Sequence, residues 1–163
     1  MKLGFKKDTL KNTLFLLGTC LCVFMAFVGF CVDPVVLTGG GFSSNGSDFG
    51  DLFKGGNDVS AAGFAFAFLG FMMLLAILVF MVFEIHNKYP QLTKLRMFLS
   101  CAAVVFFIIS FGCVAGFAAS LSGEGMKGIP GEGAFFHFFF GIGAAVVSLW
   151  FNRGIKFWET KKE

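Results

Sequence analysis

Four uninterrupted apolar stretches, at residues 13–32, 61–85, 97–121 and 134–151, dominate the chain, and polar, Gly-rich or basic segments separate them. Each is roughly 18 to 25 residues long, enough to cross a hydrocarbon core about 30 Å thick as a helix. None alternates with a period of two, as the strands of a membrane barrel do. In lipid a spanning segment must satisfy its own backbone hydrogen bonds, so the pattern predicts four transmembrane helices. The breaks agree with this. Asp33-Pro34 follows the first stretch, Asp58 to Ser60 offers N-caps for the second, Tyr89-Pro90 divides the second from the third, and Pro130 precedes the fourth. The first stretch follows a basic tail, as a secretory signal does. Its roughly 20 residues exceed the 7 to 15 of a signal core, however, and no Ala-x-Ala site follows, so it reads as a retained span.

Composition removes the soluble alternative: 56% of residues are hydrophobic and 14% charged, with a mean hydropathy of +0.81, where soluble domains carry about 25% charge. Charge placement then orients the spans. Lys2, Lys6, Lys7 and Lys11 precede the first span, Lys88, Lys94 and Arg96 lie between the second and third, and Arg153, Lys156, Lys161 and Lys162 follow the fourth. Only Lys54 and Lys127 fall on the other side, beside Asp33, Asp48, Asp51, Asp58, Glu124 and Glu132. The positive-inside rule therefore predicts cytoplasmic tails at 1–12 and 152–163, a cytoplasmic loop at 86–96, and outer loops at 33–60 and 122–133. The expected fold class is all-α: one integral membrane four-helix bundle with both termini cytoplasmic, in the plasma membrane or an endomembrane. Basic residues at membrane ends, Arg96 among them, read as topology markers with no ligand role.

The first outer loop is rich in Gly, Ser, Asn and Asp, which favour turns over an independent core, so it reads as a compact cap. Asn45-Gly46-Ser47 is a glycosylation acceptor triplet on that side. Asp48, Asp51 and Asp58 lack the alternate spacing and terminal Glu of a calcium loop. The mixed apolar and basic N-tail suits an anionic leaflet. Tyr89, Trp150 and Trp158 form one half of an aromatic belt on the cytoplasmic side.

Chemistry is sparse. Cys20, Cys22, Cys31, Cys101 and Cys113 all lie in or beside spans, where free thiols act as small apolar residues. Glu84 stands in the last turn of the second span, in reach of headgroup water or of Lys88 four residues on. His86 follows on a different face. His137 stands near the outer end of the fourth span, where it reads as a hydrogen-bonded interfacial residue and, through its titration near neutral pH, as a candidate pH sensor. No nucleophile with base and orienting partner, no phosphate-cradling Gly motif and no metal-ligand spacing occurs, so no catalytic residue, cofactor or metal is expected. The basic residues are divided among three short membrane-flanking segments, which gives no support to nucleic-acid binding.

Small residues recur at helix-packing spacing. Gly63, Ala67 and Gly70 follow one stripe of the second span, Gly112, Gly116 and Ser120 one of the third, and Gly141 and Ala145 one of the fourth. Such stripes let backbones approach closely where van der Waals contact drives association. Phe fills the complementary role, and Phe135, Phe136, Phe138, Phe139 and Phe140 encircle the start of the fourth span, too many to face one interior. The partners expected are the lipid bilayer and other integral membrane proteins or a second copy of the chain.

Four spans, cytoplasmic termini, a longer first outer loop, a short second one and Lys94-Leu95-Arg96 opening a Gly-bearing third span together resemble the layout of claudin, peripheral-myelin-protein and MARVEL-like tetraspan proteins. The likeness is one of layout over the whole chain; the Trp and paired Cys of the claudin-type first loop are absent from residues 33–60. It implies a left-handed bundle that organises membranes or accompanies a larger complex. The expected function is thus a non-enzymatic scaffold or accessory subunit. The alternative is a channel or carrier component forming an apolar pore as an oligomer, which a water-filled path lined by Ser110, Ser120 and His137 would favour.

Overall fold

The structure, a computed structural model, describes residues 7–39, 42–45, 58–86, 90–123 and 127–151. Residues 1–6, 40–41, 46–57, 87–89, 124–126 and 152–163 lie outside it, and with them Lys2 and Lys6 of the N-tail, the basic C-tail, Asp48, Asp51, Lys54, Lys88, Tyr89, Glu124, Trp158 and the second and third members of the Asn45 triplet. The four apolar stretches form helices α1 (Lys7–Phe30), α2 (Asp58–His86), α3 (Pro90–Ser120) and α4 (Glu132–Trp150). All four are long and apolar enough to cross a membrane.

Two-sided burial shows how they pack. The buried face of α2 runs Ser60, Gly63, Ala67, Gly70, Leu74, Ile77, Met81 and Glu84, in steps that alternate between three and four residues. On α3 the corresponding line is Arg96, Ser100, Ala103, Phe107, Ser110, Val114 and Ala118. A 3.5-residue repeat keeps one seam on a partner only if helices cross at a small left-handed angle. The helices form two close pairs, α1 with α4 and α2 with α3, joined by α3 against α4 and α1 against α2. The interior mixes small and polar residues with a core of Leu74, Ile77, Met81 and Phe107, and the exterior is large and apolar. Leu14, Leu21 and Phe24 on α1, Met72 and Phe83 on α2, Phe98 and Ile108 on α3, and Phe139 and Trp150 on α4 are all exposed. Soluble monomers do not leave so continuous an apolar surface in water.

The structure is mostly helical, as the all-α expectation has it, with one small sheet in addition. Three strands, β1 (Val35–Gly39), β2 (Phe42–Asn45) and β3 (Lys127–Pro130), form an antiparallel sheet in the order β2-β1-β3. β1 pairs with β3 from Val35 opposite Pro130 to Thr38 opposite Lys127. The cap is therefore built jointly by both connections at that end of the bundle, and Asn45 closes β2 opposite Val36. The sheet end also supplies the N-cap of α4. Gly131 has no side chain to cap with, and instead the Asp33 carbonyl accepts from Gly133 N–H at 3.1 Å and the Pro34 carbonyl from Gly131 N–H at 2.8 Å.

The small residues divide into two sets. A Cβ at Gly63 would lie 3.1 Å from Cys113 Cβ, and one at Gly70 or Gly141 would press on the ring of Phe107, which lies between these two glycines. Ala67 and Ala145 are fully buried. Gly112 and Gly116 do not share this setting: nothing lies within 4 Å of a Cβ at either, so their stripe faces outward from the bundle, and Ser120 beyond them is exposed with its hydroxyl turned back to the Phe117 carbonyl. The spacing was helical-packing spacing, but the phase is opposite to the buried line of α3. Gly112→Ala and Gly116→Ala are accordingly expected to leave the isolated bundle intact and raise its stability by about 0.5–1 kcal/mol through helix propensity, read as an unchanged or higher thermal midpoint in dilute detergent. The close approach of α1 to α4 involves glycines outside those stripes. A Cβ at Gly29 would stand 2.5 Å from His137 N, and one at Gly133 would run into the Val32 and Gly29 carbonyls, so α1 and α4 touch backbone to backbone beside the sheet.

Candidate functional site

Two polar clusters are buried in the bundle, one at each end. The first is made by Glu84, Arg96, Ser100 and Ser148, at the end away from the sheet. Antiparallel α2 and α3 are joined by a short connection, so the last buried position of α2 and the first of α3 come to the same level. Those positions hold Glu84, 7% exposed, and Arg96, fully buried. Arg96 Nε donates to Glu84 Oε1 at 2.8 Å. The other arm of the fork addresses α4: Nη1 donates to the Ser148 carbonyl and Nη2 to the Phe151 carbonyl at 3.3 Å. The guanidinium carbon also lies 5.2 Å from the centre of the Phe151 ring, a cation–π distance. Ser100 Oγ donates to the Arg96 carbonyl at 2.9 Å and lies 2.6 Å from Ser148 Oγ, which in turn donates to the Ala145 carbonyl.

Two expectations are corrected here. Glu84 is buried and accepts from Arg96, twelve residues on, and does not turn to headgroup water; Lys88, the other partner expected for it, lies outside the described residues. Arg96 is not a surface topology marker, whereas Lys94, two residues earlier, is exposed. An interior guanidinium is tolerated because its charge is balanced by a carboxylate and its donors meet oxygen acceptors, the conditions under which a buried charge avoids most of its desolvation cost. The signal was the phase: stepping by three and four from Gly63, Ala67 and Gly70 arrives at Glu84, and stepping back from Ser110 and Ala103 arrives at Arg96.

The second cluster centres on His137, two turns into α4 from the sheet. It is 2% exposed, so it is an interior residue and not an interfacial one. Its Nδ1 lies 3.0 Å from the Ala26 carbonyl of α1, and the ring also contacts the backbone of Ala67 on α2. Phe30 and Phe107 meet it edge-on at 5.3 and 5.0 Å between ring centres. Ser110 donates to the Gly63 carbonyl at 2.9 Å, which the missing side chain of Gly63 leaves accessible. Ser110 and His137 border one crevice with Phe107, Phe111, Val114, Ala134 and Phe138, and it is too tight to hold a water molecule. Ser120 is not part of it. The path lined by Ser110, Ser120 and His137 that would favour a pore is thus not formed within the chain.

The remaining candidates sit apart. Glu84 and His137 occupy opposite ends of the bundle. Cys20, Cys31 and Cys101 are exposed on outer helix faces, Cys22 and Cys113 half-buried, and all five thiols are free; burial as core residues does not describe the first three. Phe135, Phe136 and Phe139 turn outward, and Phe135 stacks on Phe139 at 6.2 Å and Phe136 on Phe140 at 5.6 Å. Among the described residues no group of three His, Cys, Asp or Glu side chains converges to hold a metal. No family model, curated protein or solved structure matches this chain.

Proposed function

We propose that the chain is a non-enzymatic tetraspan membrane protein with cytoplasmic termini, a scaffold or accessory subunit that packs its outer helix faces against other membrane proteins. The claudin, peripheral-myelin-protein and MARVEL-like layout belongs to this reading. The observation that carries it is the outward Gly112–Gly116 step on α3, with Val105 and Ile108 exposed on the same helix and nothing within 4 Å of either glycine's Cβ position. A small-xxx-small face of this kind lets a second helix approach at backbone distance, which in lipid is the main source of association energy. The internal polar groups support the same reading from the other side. Glu84, Arg96, Ser100 and Ser148 bond to one another and to backbone, and His137 and Ser110 bond to backbone carbonyls, so their chemistry is spent on holding the bundle.

Mild extraction followed by native electrophoresis tests it. The protein is expected to migrate as a complex heavier than one chain, and Gly112→Leu with Gly116→Leu to reduce it to a single folded chain. A wild-type protein that runs as a solitary monomer in lipid overturns the proposal.

A further inference from the structure

The end of α4 away from the sheet is held in an unusual way. The last four carbonyls of a helix have no partner within it, and α4 ends on Trp150 and Phe151 without a basic residue in its last turn. The missing cation comes from another helix: the Arg96 fork meets the Ser148 and Phe151 carbonyls from α3. A positive charge at a helix C-terminus is favoured by the helix dipole as well as by the hydrogen bonds. Arg96 is itself seated on Glu84 of α2, so one side chain joins α2, α3 and α4. Its hydrogen-bond acceptors at the end of α4 are backbone carbonyls, so those bonds need no polar side chain there.

The sheet end is tied together by different means. α1 and α4 meet backbone to backbone at Gly29 and Gly133, and β1 pairs with β3. Across the two helix pairs, Phe30 packs on Phe64 at 5.5 Å, Phe111 on Phe138 at 4.6 Å, and the Phe107 ring lies between Gly70 and Gly141. None of these contacts depends on charge.

We propose that Arg96 is a clasp: seated on Glu84, it caps α4 across the junction of the two helix pairs, so that its release parts the pairs at this end of the bundle while the sheet end stays closed. Arg96 is in this sense a positioning residue for the last turn of α4. The clasp is specific to a forked donor. A lysine ammonium keeps the charge but cannot span Glu84 and two carbonyls in one geometry.

Hydrogen exchange with mass spectrometry on the full chain in lipid nanodiscs tests this, with Arg96→Lys, the charge-balanced pair Glu84→Gln with Arg96→Met, and Ser148→Ala. In the two Arg96 variants, amides 146–151 are expected to exchange about tenfold or more faster than in the wild type, the scale of losing a hydrogen bond from a charged donor, while amides 132–140 stay within about twofold. Ser148→Ala removes the hydroxyl contact with Ser100 but keeps the carbonyl, and is expected to leave 146–151 close to wild type. Arg96→Lys retains the cation and carries the test if the paired substitution does not fold. Unchanged exchange at 146–151, equal acceleration at both ends of α4, or a Ser148→Ala effect as large as that of Arg96→Lys each overturns the clasp.

Discussion

Glu84→Ala is expected to destabilise the bundle by about 3–5 kcal/mol, the range seen when one partner of a buried ion pair is removed and the other is left uncompensated. The direction follows from which charge remains. Arg96 is fully buried, so removing the carboxylate leaves its guanidinium without a counter-charge. Without the carboxylate it must either stay as an unbalanced cation among Ser100, Ser148 and the Phe151 ring, or leave the interior and withdraw its donors from the α4 carbonyls. Either route costs a packed end of the molecule. Glu84→Leu with Arg96→Met removes both charges together, and apolar pairs of similar volume often replace buried ion pairs at little cost. Here recovery should be incomplete, since the Phe151 carbonyl loses its donor, whereas the Ser148 carbonyl still accepts from Phe151 N–H at 3.2 Å. Unfolding of the single and double variants in one detergent, analysed as a double-mutant cycle, is expected to show a coupling of about 1–3 kcal/mol. Additive effects would mean that Glu84 and Arg96 contribute independently.

Gly133→Ala and Gly29→Ala are the second pair of large effects, expected at about 2–3 kcal/mol each despite the added helix propensity of alanine. A new Cβ at Gly29 would fall 2.5 Å from His137 N and 2.8 Å from Phe136 Cβ, and one at Gly133 would meet the Gly29 carbonyl at 2.8 Å. These neighbours are main-chain atoms or a Cβ attached directly to it, so no rotamer change relieves the clash. α1 and α4 must move apart, and that movement lengthens the His137 bond to the Ala26 carbonyl and the Asp33 cap on Gly133 N–H. Thermal unfolding provides the measurement, and the contrast with Gly112→Ala and Gly116→Ala provides the control. The same chemical change is stabilising on the open face of α3 and costly at the α1–α4 crossing. Equal effects at the two places would show that the crossing is looser than the backbone contact described here.

Local composition determined the helices. Runs of apolar residues that cannot leave their backbone polar groups bare in lipid have one economical conformation, and the stretches at 13–32, 61–85, 97–121 and 134–151 accordingly lie within or close to α1 to α4. The helices extend past the apolar stretches at several ends, to Lys7, Asp58 and Pro90, since polar residues continue a helix as readily as they flank it. The interior stripe of α2 at Gly63, Ala67 and Gly70 was also legible, because that line is rich in small residues at both steps of the repeat. The sheet was not. Its β1–β3 pairing joins segments about ninety residues apart, and although Val35, Val36 and Thr38 suit a strand, the four residues Lys127–Pro130 carry no sign of that partner.

Phase, and not composition, separates the remaining cases. Arg96 and Lys94 are two residues apart in one basic cluster, and hydropathy treats them alike; a rotation of about 200° around the helix sends one inside and the other out. Gly112 and Gly29 are both glycines in apolar helices, and only the position of a second helix makes one an open face and the other a crossing point. Pairing between faces is a property of the assembled bundle, because an ion pair, a capped carbonyl or a backbone contact exists only once two helices are brought to the same level. The chain by itself therefore prescribes how many helices there are and how long they run, while the tertiary packing decides which of their charges and glycines hold them together.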